Sequence, residues 1–351
     1  AAVSILSFIG LTCRLLYARR SWPLGKGNQL CRQAAGRARI GAVRPTLSPF
    51  NADRPVTFSK RPTDQPIGVF DSGVGGLSVL RRIQTDLSHE TLLYVADSGH
   101  APYGNKPNEF IARRSVAITE FLLEHRAKAV VVACNTATAA AIAQLRNRFH
   151  VPIIGIEPAI KPAVAATRSG VVGLLATGNT VRSNKFAALL DQHGHRARVM
   201  VQPCPGLADC VERGELHGSH PRALLEKFLE PLLAQGADTL VLGCTHYPFL
   251  IPLIQQLVGP DVVILDPSAA VARQLRRRLE AASVLANSLA IGDTRYWTSG
   301  PLERTAQVMG RLLGHPVAVE PLPEPFRHDG TPTFSGLESL PALATEAHPT
   351  Q

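Results

Sequence analysis

The chain has 351 residues, 45% of them apolar, enough to bury the cores of two ordinary domains. Its net charge of +10 suggests nucleic acid at first, but residues 1–62 hold eleven Lys or Arg against one acid, Asp53, and residues 63–351 balance at 26 of each. The body of the chain is therefore neutral and excludes a basic nucleic-acid footprint, leaving the charge to the leading segment.

That segment opens with "AAVSILSFIGLTC", apolar before its first basic residue, the wrong order for a secretory signal and too short to span a bilayer. No methionine precedes Met200. Residues 1–63 are expected to be a disordered or artefactual basic extension. An organelle transit peptide and a functional arm are the competing readings. The six cysteines (Cys13, Cys31, Cys134, Cys204, Cys210, Cys244) show no C-x-x-C spacing, which argues against a disulfide framework and for a reducing cytoplasm.

From Pro66 short apolar runs alternate with helical patterns, the sign of α/β layers with parallel strands. "IGVFDSGVGGLSVLRRIQ" predicts strand, Gly-rich turn and helix, and "AKAVVVACNTATAAAIAQLRNRF" predicts the same. "VPIIGIEPAIKPAVAA" is a third strand closed by an acid–proline pair.

The pattern then recurs. "VGLLATGNT" matches "IGVFDSGVG" with Gly173 against Gly68, an offset of 105. "TLVLGCTHYP" matches "VVVACNTAT" with Cys244 against Cys134, offset 110, and "VVILDPSAAVA" matches "PIIGIEPAIKPAVA" with Asp266 against Glu157, offset 109. Three ordered matches predict a duplicated α/β domain. The closing "PLPEPFRHDGTPTFSGLESLPALATEAHPTQ" is Pro-rich with little periodicity, and residues 321–351 are expected to be a disordered tail.

Open α/β sheets bind ligands at the carboxyl ends of their strands, where Cys134 and Cys244 both stand. Two facing copies present two thiols to one cleft. A thiol at a helix N-terminus can act as nucleophile or base. Four readings compete: buried core cysteines, a metal site using Cys244 and His246, a single protease-type nucleophile, and a two-base proton transfer. The metal reading lacks third and fourth ligands at recognisable spacing. The single nucleophile leaves the second copy unexplained, whereas inverting a carbon centre needs one proton-transfer group on each face.

"DSGVGG" is weak as a dinucleotide loop because Ser78 stands where glycine is needed. Its turn amides could still hold a carboxylate, with Asp71 and Ser72 adding an acceptor and a hydroxyl. Asn135, Thr136 and Thr245 place uncharged hydrogen-bonding groups beside each thiol, and His246 follows Cys244 by two residues. Turn chemistry or helix capping is the ordinary role of each of these alone. No lysine stands in a phosphate-loop or evident carbonyl-cofactor context.

"GVFDSGVGGLSVLR", "YVADSGHAPYGNK", "VVACNTATAAA", "CPGLADCVERGEL" and "LVLGCTHYP" together resemble the glutamate racemases of the aspartate/glutamate racemase superfamily, from about Pro66 to Pro321. The resemblance implies two pseudo-symmetric α/β domains with mainly parallel sheets and the active site between them. The first spans 64–160 plus 265–320 and the second 161–264. It further implies cofactor-independent interconversion of L- and D-glutamate for peptidoglycan synthesis, with no metal. Cys134 would act on the D-enantiomer and Cys244 on the L-enantiomer, assisted by Asp71 and by His246 and Glu212 respectively. Implied substrate contacts are Asp71, Ser72, Tyr103, Gly104, Asn135, Thr136, Thr245 and His246. Cys204 and Cys210 have no implied role. Glutamate is the expected partner, with a homodimer and a cell-wall precursor activator as further candidates and neither membrane nor nucleic acid expected. The alternatives are an aspartate racemase or another amino-acid racemase of the superfamily, and a regulatory protein acting on DNA gyrase.

Overall fold

The computed structural model describes residues 62–324 and 326–328; of the extension expected over 1–63, residues up to 61 lie outside the described residues, as does the expected tail beyond 328, whereas Pro62 and Thr63 open a 3-10 turn, Pro62–Asp64. Strand β1 (Ile67–Asp71), helix α1 (Leu77–Asp86), strand β2 (Leu92–Ala96) and helix α2 (Asn108–Glu124) come first. They are followed by β3 (Ala129–Val132), α3 (Asn135–Arg148), β4 (Ile153–Gly155) and α4 (Ile160–Ala166). The next stretch is β5 (Val171–Ala176), α5 (Gly178–Val181), α6 (Asn184–His193), β6 (Arg198–Pro203), α7 (Leu207–Glu212) and α8 (Ser219–Ala234). The last is β7 (Thr239–Gly243), α9 (Ile251–Val258), β8 (Val263–Leu265), α10 (Ser268–Ala281), β9 (Thr294–Thr298), α11 (Leu302–Leu313) and β10 (Val319–Pro321).

The strands form two wholly parallel sheets, ordered β10-β9-β2-β1-β3-β4 and β6-β5-β7-β8. The run β2-β1-β3-β4 in the first corresponds, strand for strand, to β6-β5-β7-β8 in the second. This is an α/β fold with two like-ordered sheets. Strands β1, β2, β3 and β7 are buried along their whole length, which is why their sequences are unbroken apolar runs rather than alternating ones.

One apolar core joins Ile67, Val69, Tyr94 and Ala133 of the first sheet region to Leu175, Leu240, Leu242 and Leu229 of the second. A second, built on Phe70, Val95, Phe121 and Trp297, fills the side of the first sheet covered by α2 and α3. A third, with Phe186 and Val241, lies on the remaining face of the second sheet. After β8 the chain returns to the first sheet, where α10 packs on α1.

Part of the tail expected from residue 321 is ordered, with Pro321 closing β10. Leu322 is 1% exposed and its N–H donates to Thr298 O at 2.7 Å. Phe326 meets Phe121 edge-on at 5.5 Å, and Arg114 Nη1 donates to the carbonyl of His328. The prolines misled the sequence reading because β10 lies at the sheet edge, where a proline removes no ladder bond. No helix among the described residues is long and apolar enough to cross a membrane.

Candidate active site

Cys134 and Cys244 each follow the carboxyl end of a central strand, β3 and β7, in corresponding places of the two sheets. Both are buried, at 5% and 7% exposure. Cys134 caps α3: its Sγ accepts from Ala137 N at 3.4 Å, as a serine or aspartate cap would. Sγ also reaches Ser72 Oγ at 3.7 Å. Burial, then the negative charge of Asp71, push the Cys134 thiol well above its ordinary value.

Asp71 joins the two thiol regions. Its Oδ1 accepts from Ser72 N at 2.7 Å and Ser72 Oγ at 3.3 Å, and its Oδ2 accepts from Gly76 N at 2.5 Å and from Thr245 Oγ1 at 3.2 Å. A continuous chain therefore runs from Cys134 through Ser72 and Asp71 to Thr245, the residue after Cys244. Burial raises the pKa of Asp71 even though His246 opposes the shift.

On the second side Cys244 Sγ lies 3.6 Å from His246 Nδ1, and His246 Nε2 lies 2.6 Å from Glu212 Oε1. Burial alone would depress the imidazole, but Cys244 and Glu212 together hold its pKa well above the ordinary value. The Gly-rich turn lies directly on this pair. A Cβ at Gly73 would sit 1.8 Å from Glu212 Oε1, and one at Gly75 would sit 2.3 Å from His246 Nδ1. Both positions need glycine for close approach.

The turn amides do hold carboxylates, but the protein's own. Ser72 N and Gly76 N donate to Asp71, and Val74 N donates to Glu212 Oε1 at 2.8 Å. These three donors are thus paired within the protein. Asn135 offers the open alternative. Its side-chain Oδ1 and Nδ2 are both buried with no hydrogen-bond partner, beside Cys134. Such a group is costly unless a ligand satisfies it.

Thr136 Oγ1 lies 3.0 Å from Thr177 Oγ1 and 3.3 Å from Thr180 Oγ1, and the latter two lie 3.0 Å apart. This trio of hydroxyls spans α3 and the start of α5. Tyr103 is buried, yet its phenol donates to Asp97 Oδ2 at 2.5 Å, so the 103–104 turn offers ligands its backbone rather than that hydroxyl. Gly104 faces Thr177, and Asn179 Nδ2 donates to Tyr103 O at 3.0 Å. Asp97 is gripped by Arg114 at 2.7 and 2.9 Å and by His100 at 3.1 Å. Burial would raise its pKa, but these partners carry it below the ordinary carboxylate range.

The structure thus gathers Asp71, Ser72, Cys134, Asn135, Thr136, Glu212, Cys244, Thr245 and His246 around two linked thiols, with Tyr103 and Gly104 against α5. Sequence reasoning missed Thr177, Thr180, Asn179, Asp97 and Arg114. A signal for Thr177 existed: the 105-residue offset that pairs Gly68 with Gly173 also pairs Ser72 with Thr177.

A family model for Asp/Glu/Hydantoin racemase matches residues 67–275. The chain is 59% identical over 255 residues to a glutamate racemase of Ectopseudomonas mendocina, covering 72% of this chain and 97% of that protein. It is 54% identical over 263 residues to one from Methylococcus capsulatus, covering 75% and 97%. The fold is similar to the crystal structure of a glutamate racemase isoform from Bacillus anthracis, with a TM-score of 0.69, 34% identity and coverage of 75% of this chain and 99% of that one. It is also similar to Escherichia coli glutamate racemase in complex with L-glutamate and the activator UDP-MurNAc-ala, with a TM-score of 0.65, 32% identity and coverage of 74% and 98%.

Proposed function

The chain belongs to the Asp/Glu/Hydantoin racemase family, and on that premise we propose that it interconverts L- and D-glutamate by a cofactor-independent, two-thiol mechanism. The product D-glutamate is a building block of peptidoglycan. The observation that carries the mechanism is the placement of Cys134 and Cys244 at corresponding strand ends of two like-ordered sheets, joined through Ser72, Asp71 and Thr245.

From L-glutamate, Cys244 removes the α-proton and Cys134 delivers one to the opposite face; from D-glutamate the roles exchange. A Cys134 whose thiol is raised by burial and by Asp71 holds its proton and suits the donor role in the first direction. His246, cationic between Cys244 and Glu212, exchanges a proton with Cys244. Carbanion formation needs hydrogen-bond donation at the α-carboxylate, and the open Asn135 amide beside Cys134 supplies it. The hydroxyl trio of Thr136, Thr177 and Thr180, together with the Tyr103–Gly104 turn, forms the seat for the side-chain carboxylate.

All four described cysteines are free thiols, which fits a reducing cytoplasm. The Escherichia coli relative is in complex with the activator UDP-MurNAc-ala, and we include activation by a cell-wall precursor of that kind in the proposal, along with a homodimer. The test is circular dichroism of L-glutamate with the purified chain, no added cofactor and a chelator present. Loss of optical activity is expected. No inversion, or inversion abolished by chelator or by a carbonyl trap, contradicts the reading.

A further inference from the structure

Outside the thiol site, the described residues bring a Cys, a Glu and a His to one point at the α7–α8 turn. Cys210 lies on α7, Glu215 just after it and His220 in the first turn of α8, and a ligand atom from each falls within 4.8 Å of the others. We propose that Cys210, Glu215 and His220 form a zinc site.

The distances fit the ion. Bonds of ~2.3 Å to sulfur and ~2.0–2.1 Å to nitrogen and oxygen at tetrahedral angles separate sulfur from nitrogen by about 3.6 Å and nitrogen from oxygen by about 3.3 Å. Cys210 Sγ lies 3.6 Å from His220 Nδ1, and that nitrogen lies 3.2 Å from Glu215 Oε2. Thiolate, imidazole and carboxylate together are a donor set for zinc rather than for calcium or magnesium, and three protein ligands leave a fourth position for water. As the sulfur–zinc bond forms, the thiol proton leaves to buffer.

Arg213 completes the arrangement from outside. Its Nε donates to Glu215 Oε1 at 2.7 Å and its Nη2 to Oε2 at 3.0 Å, with Sγ of Cys210 3.8 Å away. The bond to Oε1, the oxygen not offered to the ion, is the kind of support a ligating carboxylate ordinarily has. None of the four residues belongs to the thiol site, although Cys210 precedes Glu212 by two residues on the same helix. Zinc here would tie the start of α8 to the helix that carries the His246 partner.

The test uses the full chain, stripped with chelator, with Cys134 and Cys244 both replaced by serine so that the thiols of the racemisation site cannot bind metal. Titration with Co²⁺ should give a near-ultraviolet thiolate-to-cobalt absorption that saturates at one ion per chain and is displaced by Zn²⁺. Cys210→Ser should abolish it. His220→Ala, at an exposed position where folding is not at stake, should weaken Zn²⁺ binding at least tenfold, and Arg213→Ala by about 10–100-fold. Absence of the saturable absorption, its survival in Cys210→Ser, or unchanged Zn²⁺ affinity in His220→Ala overturns the assignment.

Discussion

Replacing Glu212 by glutamine keeps the shape of the side chain and removes its charge. Glu212 Oε1 accepts from Val74 N at 2.8 Å and from His246 Nε2 at 2.6 Å, and the side chain is only 15% exposed. The glutamine oxygen still accepts the Val74 N–H, so the turn stays in place, but the charged partner of the imidazolium is lost. A hydrogen bond to a charged group contributes ~1.5–3 kcal/mol, so kcat/KM should fall about 10–150-fold. Racemisation has an equilibrium constant of one, so the fall must be equal in both directions. The asymmetry appears instead with α-deuterated substrate: the isotope effect should grow more for L-glutamate, whose proton goes to Cys244, than for D-glutamate.

The pH dependence has a definite sign. His246 is held above its ordinary value by Cys244 and Glu212 against its burial, so removing Glu212 lowers it, and the basic limb of the rate profile should move to lower pH. The stability that comes from a raised histidine is complete below its unfolded pKa of ~6.5 and is lost as pH rises through the folded value. The difference in stability between the parent chain and Glu212→Gln should therefore be largest below that pH and shrink above it. A glutamine variant within twofold of the parent rate, with an unmoved basic limb, refutes the role given to Glu212.

Gly75→Ala places a methyl 2.3 Å from His246 Nδ1, and thermal melts should show a loss of about 1–3 kcal/mol with racemisation reduced at least about 100-fold. Thr177→Val removes one hydroxyl of the trio; steady-state kinetics should show kcat/KM for glutamate about tenfold lower, carried mainly by KM. Asp97→Asn breaks a buried ion pair with Arg114, and urea unfolding at neutral pH should show a loss of about 3–5 kcal/mol. Because the Asp97 pKa is depressed, its contribution is present above the unfolded value of ~3.9 and is lost as pH falls through the folded one, so the deficit of Asp97→Asn should narrow in acid. A chain starting at Pro62 keeps the contact between Lys128 Nζ and Thr63 O at 2.7 Å, and should retain melting temperature and turnover.

The two thiols were legible because each ends a fully buried strand, where an apolar run must stop and polar residues take over. The correspondence between sheets was legible for the same reason, as Gly68 with Gly173 and Cys134 with Cys244 mark equivalent strands. What escaped were contacts across long stretches of chain. Glu212 meets Val74 across 138 residues, and Thr136 meets Thr177 across 41. Nothing in "DSGVGG" announces that two of its glycines are needed for the approach of Glu212 and His246 rather than for a ligand. The Asp97–Arg114 pair was hidden because two charged residues 17 positions apart look like surface residues until packing buries both. The prolines from residue 321 onward suggest a tail and conceal both that Pro321 ends an edge strand and that Leu322 after it is buried.

The central claim is that each thiol serves one face of the α-carbon. Chloro-substituted glutamates test it directly, because chloride leaves after a single proton abstraction and no opposed donor is needed. Cys134→Ala should still eliminate chloride from the L-isomer analogue and fail on the D-isomer, and Cys244→Ala should show the reverse, while neither racemises glutamate. Elimination of both isomers by either variant, or racemisation by one of them near the parent rate, would contradict the two-thiol account.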